Sequence, residues 1–440
     1  MSQQKNELKK VLGAGFGIAV MVGGTIGVGI LRTPGTIAGM LDNYWLILAC
    51  WAFGGVYVLL GAGPFAEMAT MMPKAGGPYN YVKRAFGDYA GFLTGWFDYI
   101  LNSIAPAYFC IVIGEYLALL FPSLKGNETI MALGFLTVFF LYHLGGVKNG
   151  SIAQQVTSVL KVLFFSALIV SCFVVKVDKA AFTQSVPLFE GGILIGFLVS
   201  IQLVMGAYNG WWSSCFFAEE DENPSRNIPK SLFTGAITVM AIYVILNVAF
   251  MYVLPIGALA NSPLVASDVT RAVFGDSGAT FVIVISIVSL VSILNAYMMI
   301  PPRILFGLSR DGFFIQQGTV VNKGGTPVVA LVLSGVISFV LIILGSFQQL
   351  FSLASFMSIV VMGFSFSSHI KLRNSEPNLA RPYRAWGYPW TTILLLIITL
   401  GLFIGFAIGD PYNLVLVTVL GILSYPAFLV IVKKKRVNKS

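Results

Sequence analysis

Long apolar runs recur from one end of the chain to the other, separated by short polar segments. An α-helix rises 1.5 Å per residue, so about 20 helical residues cross a bilayer core of about 30 Å. The pattern predicts about twelve membrane spans. They lie near residues 11–40, 44–68, 90–120, 128–147, 151–176, 191–219, 231–254, 277–301, 326–346, 348–370, 388–409 and 411–432. The predicted fold class is an all-α, polytopic membrane protein.

Two of these spans are unusually rich in glycine. The first contains GGTIGVGILRTPG, residues 23–35, and the sixth contains MGAYNGWW, residues 205–212. Each glycine inside a helix costs roughly 1 kcal/mol relative to alanine, so both spans are predicted to break there. Irregular backbone at membrane depth is tolerated where it lines a cavity, and a pair of broken helices in corresponding positions indicates a transporter binding site.

The spacing of the two breaks predicts an internal repeat. The breaks are five spans apart, and an odd number means that the second set of five enters the membrane in the opposite direction. We therefore predict an inverted repeat of residues 11–176 (spans 1 to 5) and 191–370 (spans 6 to 10). Spans 11 and 12, residues 388–432, follow it, and short polar segments, residues 1–10 and 433–440, flank the whole.

Composition supports lipid as the main solvent. The chain is 57% hydrophobic and 10% charged, whereas soluble domains carry roughly 25% charged residues. The net charge of +9 does not indicate nucleic-acid binding, because the basic residues are scattered among short loops and the tail. Most of the 27 Lys and Arg residues lie on one side of the predicted spans. The other side holds Arg32, Lys125, Lys176, Lys179 and Arg271, with Lys161 inside a span.

This asymmetry predicts orientation. Basic residues concentrate in cytoplasmic loops, so both termini are predicted to be cytoplasmic and the protein to lie in the cell membrane, surrounded by lipid. All four cysteines fall within apolar runs. We therefore expect no disulfide framework and no disulfide-linked heavy chain. Oligomeric state is not predicted.

Two other classes of membrane protein fit the sequence poorly. A membrane enzyme would need clustered nucleophiles, bases or metal ligands, but the chain has no HExxH motif, no paired cysteines and only two histidines. A channel would show rings of charge or a repeated filter, and neither is present. No catalytic residue, metal site or cofactor is predicted.

The backbone groups freed at the breaks predict the ligand. N–H groups that begin the second half of span 1 would attract a carboxylate, and freed carbonyls would accept hydrogen bonds from an ammonium group. An α-amino acid carries both charges on one carbon. The predicted donors belong to Gly27, Val28 and Gly29, and the predicted acceptors to Thr25, Ile26, Gly206, Ala207 and Tyr208. The alternative is that these glycines only allow close helix packing.

Three segments resemble a known family. PFAEMATMMPKAGGPYNYVKRAFG (residues 64–87), AYNGWWSSCFFAEEDENPSRNIPKS (residues 207–231) and Asn295 with RILFGLSRDG (residues 303–312) are similar to motifs of the amino acid, polyamine and organocation (APC) superfamily, and the second to its L-type amino acid transporter branch. The resemblance implies a LeuT-like fold of five plus five helices with substrate-binding backbone at the two breaks. We add Asn209 and Asn295, which lie in matching segments, to the predicted substrate site.

The chain departs from this family pattern at two positions. Val28 replaces a serine that is usual in the first break, which removes a hydroxyl but leaves the backbone donors. Gly206 stands where the L-type branch commonly has a gating aromatic residue. Tyr208, Trp211 and Tyr297 are the candidate gates that remain.

Lys161 lies about ten residues into the predicted fifth span, which is roughly 15 Å deep at 1.5 Å per residue. A charge there costs at least about 2.5 kcal/mol, so the side chain should point into the bundle and find a partner. A lipid-facing or purely structural lysine is the alternative. QQVTSVLK (residues 154–161) is similar to the fifth span of sodium-independent relatives, in which a lysine occupies the position of a sodium ion. We therefore predict that Lys161 bridges span 5 to the freed carbonyls of span 1.

The sequence thus predicts secondary active transport of amino acids by alternating access. Sodium-independent exchange is preferred because Lys161 disfavours sodium coupling, and neutral amino acids are preferred because no acidic or basic ring lines the breaks. Proton-coupled symport is an alternative, as is antiport of cationic amino acids or polyamines through Asp98. Acidic substrates would depend on Arg32, for which a structural role is preferred. Glu67 is predicted to pair with a basic loop residue.

Overall fold

The protein is described from a computed structural model over residues 8–175, 177, 185–186 and 189–437, without the side chains of Val28, Ala279 and residues 432–437. The predicted basic residues Lys176 and Lys179, and the ends of both terminal segments, fall outside these residues. In chain order the α-helices are α1 Ala14–Thr25, α2 Val28–Leu41, α3 Tyr44–Met71, α4 Pro78–Phe86, α5 Asp88–Leu120, α6 Glu128–Leu144, α7 Val147–Val174, α8 Gly192–Ala207, α9 Pro224–Val253, α10 Ile256–Ala260, α11 Val265–Phe274, α12 Asp276–Arg310, α13 Val328–Leu344, α14 Phe347–Ser375, α15 Trp390–Gly409 and α16 Pro411–Val437.

The helices agree with the predicted spans. Within the described residues, nine helical stretches are long and apolar enough to cross a membrane, with α1 and α2 counted as one stretch. Shorter apolar helices, α6, α8 and α13, fall at the three remaining predicted positions. The all-α, multi-pass fold class is therefore confirmed. The total of twelve crossings and the division into repeats stay predictions.

Both predicted breaks are present. The first span stops at Thr25 and resumes at Val28, with Ile26 and Gly27 outside helical geometry. In the sixth span α8 stops at Ala207, and the chain continues through turns into a short 3₁₀ helix, Ser213–Phe217. The second break is thus more extensive than a single kink, because regular α-helix does not resume until after the loop.

Burial separates the central helices from the outer ones. The most apolar window of Ala14–Leu41 is 82% buried inside the protein, whereas that of Pro411–Ile431 is 11% buried. Exposed residues on the outer helices are large and apolar, as on α16, where Val415, Ile422 and Leu423 all face outward. In water such a surface would be unfavourable, but lipid tails solvate it. The broken first span is therefore at the centre of the bundle.

Three helices lie outside the predicted spans. The nine-residue α4 follows the second span, while α10 and α11 lie between the seventh and eighth. All three are too short to cross a membrane, so a search for long apolar runs does not detect them. Helix α9 also begins seven residues before the predicted span, with Pro224 in its first turn, where proline is tolerated.

The two ends of the bundle differ in charge. We call the end that contains Met71 of α3, Arg310 of α12 and Ser375 of α14 the basic face, and the end that contains Phe347 at the start of α14 the opposite face. Ion pairs at the basic face join Lys83 to Asp311 (2.7 Å), Arg84 to Glu376 (2.9 Å) and Arg310 to Glu219 (2.7 Å).

Candidate substrate-binding site

The two breaks touch each other. A Cβ atom built on Gly29 would lie 2.6 Å from Cα of Ala207, and one built on Gly210 would lie 2.7 Å from the carbonyl oxygen of Gly24. Gly210 also has φ of +95°, a conformation that residues with a side chain rarely adopt. The glycines at these positions are therefore required for the contact between the breaks, as well as for the interruptions themselves.

The first break presents a helix N-terminus to this contact. Gly27 precedes the first turn of α2 and provides no side chain to cap it, and the structure records no side-chain cap for that end of the helix. Helix N-termini attract anions through free N–H groups and the helix dipole. The backbone of Gly27, Val28 and Gly29 is thus placed where the sequence predicts a carboxylate.

Lys161 binds the other side of this break. Its Nζ atom donates to the carbonyl oxygens of Gly23 (2.9 Å) and Ile26 (2.5 Å), and the residue is only 3% exposed. It lies at the middle of α7, so it is far from both ends of the bundle. The expected contact between Lys161 and the carbonyls of span 1 is therefore present. The Ile26 oxygen, which was predicted to bind substrate, accepts from Lys161 in this conformation.

Additional hydrogen bonds fix α7 against α1. The carbonyl oxygen of Ala19 accepts from Gln154 Nε2 (3.2 Å) and from the Ser158 hydroxyl (2.8 Å). Gly23 lies opposite these two side chains, and a Cβ there would overlap both. Lys161 is one turn further along α7, so it belongs to a continuous polar seam.

Tyr243 of α9 connects the two breaks, a role the sequence analysis missed. Its hydroxyl lies 2.9 Å from the carbonyl oxygen of Thr25 and 2.9 Å from that of Ala207, and the side chain is fully buried. A phenol has one proton, so the two acceptors share it. The residue sits in the apolar run AIYVILN, where a tyrosine gives no recognisable signal.

Of the three candidate gates, two pack against α3. The Tyr208 hydroxyl donates to the carbonyl oxygen of Trp51 (3.0 Å), and the Trp211 ring contacts that of Phe65 with centroids 4.8 Å apart. Tyr297 lies nearer the contact between the breaks, since its hydroxyl is 2.7 Å from a Cβ built on Gly210.

The two predicted asparagines occupy different surroundings. Asn209 is in the second break, where its side-chain oxygen accepts from the N–H of Gly210 (3.0 Å). Asn295 of α12 faces α7 and donates to the Gly150 carbonyl (3.0 Å) and to Gln154 Oε1 (2.8 Å). The geometry therefore places Asn209, Thr25, Ile26, Ala207 and Tyr208 together and leaves Asn295 at the contact between α12 and α7.

Asp98 and Arg32 are the polar residues that the sequence relates to charged substrates. Asp98 is fully buried, with one carboxylate oxygen accepting from Asn102 Nδ2 (2.9 Å) and the other, among the described residues, without a hydrogen-bond partner. Arg32 pairs with Glu115 (2.8 Å) and lies over the ring of Phe347, at 4.7 Å from its centroid. The guanidinium of Arg32 is thus engaged by protein groups.

The basic face is closed over the breaks. The N–H groups of Val11 and Leu12 both donate to the carbonyl oxygen of Glu220 (3.0 Å each), which ties the start of span 1 to the segment after α8. The Glu220 side chain forms a buried ion pair with Arg303 (2.9 Å). Motion of α1 at this end would have to break these bonds.

Glu67 forms a second buried cluster at the basic face. Its carboxylate accepts from Arg373 (2.6 Å), Arg381 (3.0 Å) and the N–H of Ala385 (2.7 Å). The expected pairing of Glu67 with a basic residue is therefore confirmed, and it involves α14 as well as the loop after it.

Comparison with known proteins identifies the family. Residues 17–430 match the amino acid permease family. The serine/threonine exchanger SteT of Bacillus subtilis is 26% identical over 99% of this chain and 100% of its own length. The b(0,+)-type amino acid transporter 1 of Mus musculus is 28% identical over 95% of this chain and 86% of its own. The large neutral amino acids transporter small subunit 2 of Rattus norvegicus is 27% identical over 86% and 72%.

These matches extend across both breaks and nearly all predicted spans, and the relatives are transport proteins rather than enzymes. The chain is therefore a multi-pass amino acid transporter that belongs to the amino acid permease family, in the L-type branch of the APC superfamily.

Proposed function

We propose that this protein exchanges neutral amino acids across the cytoplasmic membrane by alternating access, without sodium. The observation that carries the proposal is the position of the Lys161 ammonium group, bonded to the Gly23 and Ile26 carbonyls beside the contact between the two breaks. A fixed positive charge there can do for these carbonyls what a bound metal cation would do.

Recognition of the substrate rests on the backbone. The N-terminus of α2 would hold the carboxylate, and the carbonyls of Thr25 and Ala207 would receive the ammonium group on their second lone pairs, beside the Tyr243 hydroxyl. These groups recognise the part that all α-amino acids share. A neutral substrate side chain is preferred because Arg32 is already paired with Glu115 and because, among the described residues, the side-chain donor to the carbonyls of Thr25 and Ala207 is the uncharged Tyr243 hydroxyl.

Proton-coupled symport is the second candidate, and Asp98 is the observation that favours it. An ionised carboxylate with an unpaired oxygen is costly in a dry interior, so the carboxyl is more stable when it holds a proton. A group of this kind could gain and lose that proton during the cycle. If ionised, the same carboxyl would attract a cationic amino acid or a polyamine.

Orientation and partners complete the proposal. The basic face would be cytoplasmic by the positive-inside rule, which places both termini in the cytoplasm. The four cysteines are buried and free, and we propose that the protein acts without a disulfide-linked heavy chain. Electrophoresis of the membrane-extracted protein with and without reductant would test this, since a linked partner would change the apparent mass.

Purified protein in liposomes would test the transport mode. Vesicles preloaded with unlabelled amino acids would be challenged with a labelled panel, with and without sodium or a pH gradient. We expect uptake only into preloaded vesicles and no response to sodium. Sodium-driven accumulation in empty vesicles would overturn the proposal, and accumulation driven by a pH gradient would favour the second candidate.

Variants of α7 would test the role of the buried lysine. Lys161→Ala removes two charge-assisted hydrogen bonds, each worth about 1.5 to 3 kcal/mol, so exchange should fall by at least tenfold. Lys148→Ala, which removes an exposed lysine near the start of the same helix, is the matched control and should exchange at the normal rate. Normal exchange by Lys161→Ala would exclude an essential role for the ammonium group.

A further inference from the structure

Gly206 has no side chain, and an aromatic ring from another helix occupies the space beside it. A Cβ built on Gly206 would lie 2.7 Å from both Cε1 and Cζ of Phe351, closer than real Cβ atoms come to any neighbour. The Phe351 ring of α14 therefore fills the volume that a residue at position 206 would otherwise use. Phe351 is 3% exposed, so the ring is enclosed on all sides.

Phe351 is the innermost member of a stack of aromatic rings. Its ring stacks on Phe347 with centroids 5.2 Å apart and meets Tyr108 of α5 edge to face at 5.6 Å. Phe347 is in turn covered by the guanidinium of Arg32, which pairs with Glu115. Helices α2, α5 and α14 are thus joined at one point by rings and one ion pair. We call Tyr108, Phe347 and Phe351 the aromatic plug.

The aromatic plug separates the second break from the opposite face. On its outer side lies a cavity of about 650 Å³, whose lining includes Glu115, Ser346 and Phe347. On its inner side Phe351 contacts Gly206, the residue before Ala207 at the end of α8. The order from outside to inside is therefore cavity, Phe347, Phe351 and break.

We propose that Phe351 is the gate residue that closes the substrate site toward the opposite face, in place of the side chain that Gly206 lacks. The inference rests on the proposed transport function and names the residue that controls access to its site. To reach the Ala207 carbonyl from the cavity, a substrate must displace the Phe351 ring. Gly206 leaves room for the ring when the path is closed, because a side chain at position 206 would overlap the ring of Phe351.

Labelling of a cysteine beneath the plug would test the proposal. The Ser355 hydroxyl also lies against the Cβ position of Gly206, so Ser355→Cys reports access to the inner side of Phe351. The native cysteines are buried and provide a low background. In nanodiscs, where both faces meet solvent, the rate of reaction with a cationic methanethiosulfonate reagent would be measured.

Removal of the ring should open the path. Phe351→Ala in the Ser355→Cys background is expected to raise the labelling rate at least tenfold. Phe356→Ala is the matched control, because Phe356 is equally buried on α14 but packs on Phe403 and Phe406 of α15; its labelling rate should stay at the background level. Phe351→Leu keeps apolar contact without the ring and should give an intermediate rate, which preserves the test if the alanine variant does not fold.

Gly206→Phe would collide with the Phe351 ring and with the Ser355 side chain, which lies against the same Cβ position, so this variant should abolish exchange. Normal exchange by Gly206→Phe, or equal labelling of the Phe351→Ala and Phe356→Ala variants, would overturn the gate assignment. Absence of exchange by the unmodified protein would instead refute the transport proposal, whatever the labelling shows.

Discussion

The hydroxyl of Tyr243 connects the two breaks, and Tyr243→Phe removes it while keeping the ring. The change withdraws the one side-chain donor that the described residues provide to the carbonyl oxygens of Thr25 and Ala207, each 2.9 Å away. A buried polar group left unsatisfied costs about 1 to 3 kcal/mol. Because the phenol has one proton, the loss should be near that of one strong bond rather than two.

This cost should affect transport more than folding. The closed arrangement is the one in which both carbonyls meet the hydroxyl, so its population falls while arrangements with separated breaks are unaffected. A loss of about 1.4 kcal/mol corresponds to a tenfold change in an equilibrium constant. We expect the maximal exchange rate of Tyr243→Phe in liposomes to fall about tenfold, since every half-cycle passes through the closed state.

A matched variant separates this effect from general destabilisation. Tyr57 of α3 is also buried, and its hydroxyl lies 2.7 Å from Thr399 Oγ1, away from both breaks. Because Tyr57→Phe also removes a buried hydroxyl, it should lower the melting temperature about as much as Tyr243→Phe does. Its exchange kinetics should be unchanged. If Tyr243→Phe exchanged at the normal rate with normal half-saturation, the hydroxyl would have no role in holding the breaks together.

The remaining predictions concern packing at the breaks and the closure of the basic face. Gly29→Ala would place a Cβ 2.5 Å from that of Ala207 and should abolish exchange, whereas Gly39→Ala on the same helix, with its nearest contact at 3.6 Å, should exchange normally in the same liposome assay. Glu220→Ala leaves the buried guanidinium of Arg303 unpaired and should lower the free energy of unfolding by about 3 to 5 kcal/mol, measured as a fall in melting temperature. Adding Arg303→Met should recover most of that loss, and a single variant as stable as the parent would show that the pair contributes nothing.

The sequence predicted the features that follow from a local rule. Glycine density gave the breaks near residues 23–29 and 206–210, because helix propensity depends on the residues themselves. Lys161 was identifiable because a charge in the middle of a span has few stable arrangements, and the resemblance to sodium-independent relatives implied its partners on span 1. Both inferences needed little knowledge of how the helices pack.

The features that the sequence did not predict depend on tertiary contacts. Tyr243 and Phe351 lie in apolar runs where aromatic residues are common, and only the packing of α9 and α14 brings them to the breaks. Each role also depends on something that the rest of the chain lacks. Tyr243 supplies a donor to two carbonyls that the break leaves without a helical partner, and Phe351 fills the space of the side chain that Gly206 does not have. The sequence also did not predict the irregular backbone after Ala207, because a hydropathy pattern does not distinguish a 3₁₀ turn from a continued α-helix.

The two ends of the bundle are held shut by different forces. Part of the closure at the basic face consists of ion pairs that are partly exposed, among them Lys83 with Asp311 and Arg84 with Glu376. Dissolved salt screens such pairs over about 8 Å at physiological ionic strength, but it does not weaken the contact between the rings of Phe347 and Phe351. Ionic strength should therefore act more strongly on the basic face than on the opposite face, where salt can weaken the pair of Arg32 with Glu115 but not the packing of the rings.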